Sequence, residues 1–448
     1  MTDALPPSPS PTRSALPPDD LQRALLHNEV HARPTARIRL PALVVYVAVL
    51  NEGISREQEL AHLRLLPGQQ DLPPEVLHDH FVRLRLGNCT LKWERHSEYT
   101  RYSIVQSLPE GAGLEAESPP LDALAVDPDW LAAIPGRTIT AIKLAMVIGD
   151  IANAPEAAKR GQRWLGGRSV VASIMGTYGH SIAVTSFRLR EDGFEHMLVI
   201  APERTTETRA GRISQRLLEL ETYRMMALRG LPAAKALSPM LAEAESRLAE
   251  ITARLENKAA TDQELLDTLV ALAARVERAT AENQYRFAAT QAYDAIVSQR
   301  IQELREKPIS GTQTISEFMQ RRLSPAIQTV AATAQRLSGL SQRIERTSAL
   351  LRTRVDIATE SQNQQLLAQL TRGQDLQLRM QMTVEGLSIA AISYYVMSLI
   401  YYGAKAVKVA GVPISPELVA GALIPAVLWG VRRTNRRIHE KLHAEQGH

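Results

Sequence analysis

Cysteine is almost missing from this chain: Cys89 is the single one in 448 residues. One thiol excludes an intrachain disulfide and fits a reducing compartment. Cys89 itself reads as a small buried hydrophobe. Aromatic residues make up only 4%, too few to predict the stacking platforms that hold single-stranded nucleic acid. Charge is nearly balanced, 52 Lys and Arg against 48 Asp and Glu, so no concentrated basic face marks a nucleic-acid partner. The glycine signatures that cradle phosphate, GxxxxGK[ST] and GxGxxG, are absent, as is the GxSxG elbow. Gly166-Gly167 and Gly176-Thr-Tyr-Gly179 read as turns at strand ends. With no catalytic motif and no cofactor signature, the expectation is a protein that is not an enzyme.

What is present divides into stretches of different character. The start, MTDALPPSPSPTRSALPPDD, lacks the basic and apolar regions of a secretory signal, and its Pro/Ser content predicts a disordered leader over residues 1–20. Residues 21–205 mix short β-rich runs with helical patches, an expected α+β domain. Strands are expected at Leu43–Leu50, Thr90–Glu94, Tyr99–Gln106, Thr138–Ile148, Ser169–Gly176, Ser181–Arg190 and His196–Ala201. The last three, joined by short turn-like links, predict an antiparallel meander. Helices are expected at Arg56–Leu65, capped by Ser55, and at Pro74–Leu86.

After Pro202 strand signals vanish and Ala, Leu, Arg, Glu and Gln dominate. Residues 206–310 predict helices over Thr208–Arg229, Pro239–Glu256 and Asp262–Arg305, the last two as arms of a hairpin. Residues 311–383 predict a heptad stalk, part of one helix from Ile315 to Ala404. Leu323, Val330, Leu337, Ile344, Leu351 and Ala358 recur seven apart, with Ile327, Ala334, Ser341, Ser348, Val355 and Gln362 between them. That seam, apolar at one position and small or polar at the other, suits packing on neighbouring helices or contacts in a homo-oligomer.

Two apolar stretches follow, Gly386–Ala404 with 19 uncharged residues and Leu418–Val431 with 14. The first gives about 28 Å of helix, close to a bilayer core of about 30 Å. The expectation is a membrane hairpin over 384–431, with spans at about 386–404 and 412–431. The tail, 432–448, carries Arg432, Arg433, Arg436 and Arg437, which predicts a cytoplasmic end at the surface of the lipid bilayer. Both termini would then lie in the cytoplasm.

Candidate chemistry is concentrated in two segments. Leu26-His27-Asn28-Glu29-Val30-His31-Ala32-Arg33-Pro34 is dense in polar groups; His27 and His31 would share a helix face, but HNEVH is not the HExxH spacing, and no metal is expected. Trp93–Tyr102 carries His96 and Glu98 where two strands meet. If the segments face each other, Glu29, His31, Arg33, His96 and Glu98 form a pocket for a small ligand.

LHNEVHARP, RHSEYTRYSIV, QRLLELETYRMMALRGLP (Gln215–Pro232) and TVEGLSIAAISYYV (Thr383–Val396) resemble an uncharacterised family of bacterial membrane-anchored proteins, a domain of unknown function. The resemblance implies attachment to the inner membrane and assigns no activity. The order of parts, α/β domain, helical hairpin, stalk, membrane hairpin and basic tail, is also similar to the CorA magnesium channel family. Its Tyr-Gly-Met-Asn pore loop would fall at Tyr402, Gly403, Ala404 and Lys405, where lysine replaces the asparagine that receives the cation. The fold expected is an α+β N-terminal domain, a long all-α stalk and a C-terminal two-helix transmembrane hairpin. The function expected is an oligomeric binding or scaffolding module with a protein partner or small ligand; the alternative is a divergent channel.

Overall fold

The computed structural model describes residues 20–23, 26, 36–108, 112–114, 123–167, 170–257, 261–410, 413 and 415–445, those from 435 on as backbone alone. The chain divides into two compact units, Met1–Asn257 with Thr268–Glu345, and Lys258–Asp267 with Arg346–His448.

The first unit is built on a mixed nine-stranded sheet: β1 (Ala42–Leu50), β2 (Phe81–Leu86), β3 (Cys89–Arg95), β4 (Tyr99–Ser107), β5 (Arg137–Ile148), β6 (Val171–Met175), β7 (Ser181–Leu189), β8 (Glu195–Ala201) and the short β9 (Lys307–Pro308). Their spatial order is β2-β3-β4-β1-β5-β8-β7-β6-β9. Every pairing is antiparallel except β5 with β8. That parallel pair requires a crossover, supplied by the chain between Gly149 and Phe194.

β1 is apolar along its whole length because it lies inside the sheet with both faces covered. Leu43, Val45, Val47 and Val49 point into one core, with Leu60, Leu63, Trp93 and Trp130. Ala42, Val44, Tyr46 and Ala48 point into the other, with Ala210, Ile213, Leu217 and Leu220. α1 (Arg56–Leu63) has a Ser55 capping box closed by Gln58. With α2 (Pro128–Ala132) and α3 (Ala154–Trp164) it covers the first face. α4 (Glu207–Leu228) covers the second. At Gly211 the helix meets the chain so closely that a Cβ would lie 1.7 Å from Ala36 O, so only glycine serves there.

The strands were legible within a residue or two, except at the edges. Pro74–Leu86, expected as a helix, is a 3-10 turn (Pro74–Leu77) followed by β2. Phe-Val-Arg-Leu-Arg-Leu alternates outside and inside, a period of two, and a two-residue turn at Gly87-Asn88 returns it to β3. β6, β7 and β8 form the expected meander.

Beyond the sheet come α5 (Gly230–Asn257), α6 (Asp262–Leu304), α7 (Ile315–Arg322) and α8 (Ser324–Val409). Gly230, Thr290 and Val330 meet where α5, α6 and α8 pack together. Arg275–Glu243 (2.7 Å) and Arg336–Glu245 (2.9 Å) tie the same three helices at their surface. The helical segment expected from Ile315 runs to Val409, marked off at Leu323 into α7 and α8, because Pro325 has no N–H to continue the ladder there. Heptad residues Leu323, Val330, Leu337 and Ile344 are buried within the first unit, and Leu351 within the second. Ala358 is exposed, so the seam is consumed by intrachain packing and then ends.

The two-helix transmembrane hairpin is not found. Among the described residues one helical segment, Ile315–Val409, is long and apolar enough to cross a membrane, with a window of mean hydropathy 1.4 that is 6% buried. α9 (Pro416–Glu445) is not a second: its uncharged run is bounded by Glu417 and Arg432 and gives only about 21 Å of helix.

Candidate functional site

The β3–β4 hairpin ends in a turn carrying Arg95, His96, Ser97, Glu98 and Tyr99. The backbone fixes it: His96 N–H donates to Tyr99 O at 2.8 Å, and Asn51 Nδ2 donates to His96 O at 2.9 Å. Against this turn lies a cavity of about 560 Å³, lined from the sheet by His80, Arg95, His96 and Tyr99 and from α4 and α6 by Tyr223, Tyr293 and Ile296. The volume is that of a small-molecule site, commonly about 300–1,000 Å³.

Each polar group in the wall is oriented by a neighbour. Arg95 Nη1 donates to Glu59 Oε2 at 2.6 Å, and its Nη2 donates to Ile54 O at 2.8 Å. Thr100 Oγ1 donates to the other Glu59 oxygen at 2.6 Å. Burial nevertheless pushes the Glu59 carboxyl above its ordinary pKa, with Thr100 and Arg95 working against the shift. Arg56 Nη2 lies 3.0 Å from His80 Nε2, and His80 holds a left-handed backbone with φ 55°. The His96 ring stacks on Tyr99, centroids 4.6 Å apart, and Tyr223 stacks on Tyr293 at 6.0 Å. Burial raises the Tyr99 phenol well above its usual range; the Tyr293 phenol rises through burial and then the Glu98 carboxylate.

Glu98 fastens the turn to the helices. Its Oε2 accepts from Arg286 Nη2 at 2.6 Å and Arg229 Nη1 at 3.1 Å, and its Oε1 accepts from Tyr293 Oη at 3.2 Å. A second buried network lies nearby in the sheet: Arg101 bridges Glu94 (2.6 Å) and Glu219 (3.3 Å), and Arg300 reaches Glu219 at 3.0 Å. Desolvation of such charges is offset only by this mutual pairing, so they hold α4 and α6 on the sheet.

The site therefore presents stacked aromatic rings, two imidazoles and one guanidinium, all held in place. A polar, planar molecule in such a cavity would meet ring faces and hydrogen-bonding groups. Arg95 and Glu98 are already engaged, which suits orientation of a ligand rather than proton transfer. Among the described residues no group of three or more His, Cys, Asp or Glu gathers to hold a metal.

Of the residues singled out in the sequence, His96 lines this cavity and Glu98 is its clamp. His27, Glu29, His31 and Arg33 lie outside the described residues. Tyr402, Gly403 and Lys405 are not in a loop: they sit exposed inside α8, which runs on to Val409 because no proline interrupts it before Pro413. Arg432 and Arg433 are exposed on α9, Arg433 over the Trp429 ring at 4.8 Å, and the side chains of Arg436 and Arg437 lie outside the described residues. Cys89 is buried, as expected of a small hydrophobe. Sequence reasoning missed His80, Tyr223 and Tyr293: His80 stands in the short link before β2, and the only local signal of the other two is a tyrosine at a half-buried helix position.

The family "Protein of unknown function (DUF3422)" matches residues 18–442. The chain belongs to this family. No curated protein and no solved structure matches it, so the resemblance to the CorA channels finds no support there.

Proposed function

We propose that this family member is a membrane-attached binding module. Its sheet unit holds a small polar ligand between His96, Tyr99, Tyr223 and Tyr293, and the apolar segment of α8 fastens the chain to a lipid bilayer. The observation that carries the reading is the state of that segment. Between residues 386 and 404, Leu387, Tyr394, Tyr395, Leu399 and Tyr402 are exposed, Leu399 by 71%. Water does not tolerate an apolar surface of this extent uncovered, and lipid is the occupant whose chemistry matches aliphatic side chains with flanking tyrosines. The exposed basic residues Arg432 and Arg433 would meet anionic headgroups.

Flotation of the full chain with phospholipid vesicles tests the reading. The wild type should float and resist an alkaline carbonate wash, and Ile392→Asp with Leu399→Asp should remain at the bottom of the gradient. A wild type that stays down, as a monomer or as a defined homo-oligomer, would contradict it.

A further inference from the structure

A second cavity, of about 380 Å³, opens where the Gly176–Gly179 turn between β6 and β7 meets the start of α4 and the end of α6. Arg209, Arg212, Arg216 and Arg305 line it, with His180 and Tyr178. The three α4 arginines are spaced three and four apart, so they share one helix face. Arg305 comes from the opposite wall with a left-handed backbone, φ 46°, and its Nη1 lies 3.3 Å from Thr177 Oγ1. The turn is built for the close approach: a Cβ on Gly176 would fall 2.3 Å from His180 Nε2.

Charge in this cavity is unbalanced. Its one carboxylate, Glu303, is held at 2.9 Å by Arg300 from outside the cavity and stands 3.8 Å from Arg216. Among the described residues no carboxylate pairs with Arg209 or Arg212. Both stand in the first turns of α4, where the helix field disfavours cations. Burial pushes the His180 imidazole toward its neutral form, and Arg209, Arg216 and Arg212 push it further. Arg216 also donates to Glu303 O at 3.1 Å and Arg305 to Thr177, so the charge left over is that of Arg209 and Arg212, and guanidinium forks are the donors that match phosphate oxygens. Tyr178, 96% exposed on the turn, offers a ring face at the rim.

We infer that Arg209, Arg212, Arg216 and Arg305 form an anion site for a phosphate or diphosphate group. The phosphate arrives either on a soluble molecule or as a lipid headgroup. The site is separate from the His96 pocket and does not depend on membrane attachment.

Calorimetric titration of inorganic pyrophosphate into the full chain in neutral detergent tests the site. The wild type should bind, and Arg209→Ala with Arg212→Ala should weaken the affinity at least tenfold with an unchanged melting temperature. Arg321→Ala with Arg322→Ala, an equal loss of exposed charge on α7, should leave the affinity within twofold. Absence of binding, an unaffected first variant, or equal weakening by both variants would overturn the inference. With the site established, competition by phosphatidylglycerol vesicles but not phosphatidylcholine vesicles assigns the phosphate to a lipid, and indifference to both assigns it to a soluble ligand.

Discussion

The same residue types meet opposite fates in the two units. In the first, Leu91, Trp93 and Ile104 are wholly buried, and sheet and helices close over them from both sides. In the second, Leu366, Leu370 and Leu378 on α8 are 58–65% exposed. The difference lies in what arrives to cover them. Residues on α8 up to Ile344 find α5 and α6 alongside, whereas Leu366, Leu370 and Leu378 find no such cover among the described residues. Periodicity specifies a face; the partner that covers it is a separate fact.

Truncation is the bluntest way to break this comparison. Leu91→Ala should cost about 2–5 kcal/mol in chemical unfolding of the sheet unit, through lost burial and a cavity. Glu98→Ala comes next. It strips the shared acceptor from Arg229, Arg286 and Tyr293, and should cost about 2 kcal/mol while loosening the hairpin turn beside His96.

A pH series sharpens the contrast from the other side, because the first unit buries an acid. Glu195 of β8 accepts from Thr185 Oγ1 at 2.8 Å and faces Glu221, which Arg224 grips with two of its guanidinium nitrogens, Nε and Nη2. Burial and then the Glu221 charge raise the Glu195 carboxyl well above its ordinary value of 4.5. A raised acid holds its proton more tightly when folded, so its contribution is fully present below the unfolded pKa. That contribution declines as pH climbs from there toward the folded value. Glu195→Gln should remove this decline: the difference in stability from the wild type should shift in the variant's favour between pH 5 and pH 8. A constant difference across that range would mean Glu195 is ionised in the fold. The smallest effect belongs to the second unit, where Leu366→Ala should change unfolding of the sheet unit by less than about 0.5 kcal/mol.

Much of this was readable in the residues. Runs rich in Val, Ile, Thr and Tyr marked β1 and β4 through β8, and β3 was marked by Thr90, Leu91 and Trp93 although it buries Lys92 and Glu94. β2 was misread because Pro74 suggested a helix start, although Arg83 and Arg85 supply the polar half of its alternation. β9 is two residues long and has no pattern to find. Sheet order was out of reach, because the parallel β5–β8 pair joins segments about fifty residues apart. Half of the pocket was legible: His96 and Tyr99 sit in one polar segment, whereas Tyr223 and Tyr293 arrive from helices whose docking no local pattern encodes. The arginines of α4 were visible as charges, and only their meeting with the Gly176–Gly179 turn makes them a site.

The central claim, that lipid covers α8 where its own chain does not, is tested most directly by spin labels placed singly along residues 360–404 in vesicles, with Cys89 replaced by serine. Collision with oxygen should rise and collision with a water-soluble nickel complex should fall from residue 386 onward, while labels at 360–378 stay accessible to nickel. Uniform nickel access through residue 404, or protection from both reagents there, would contradict the claim.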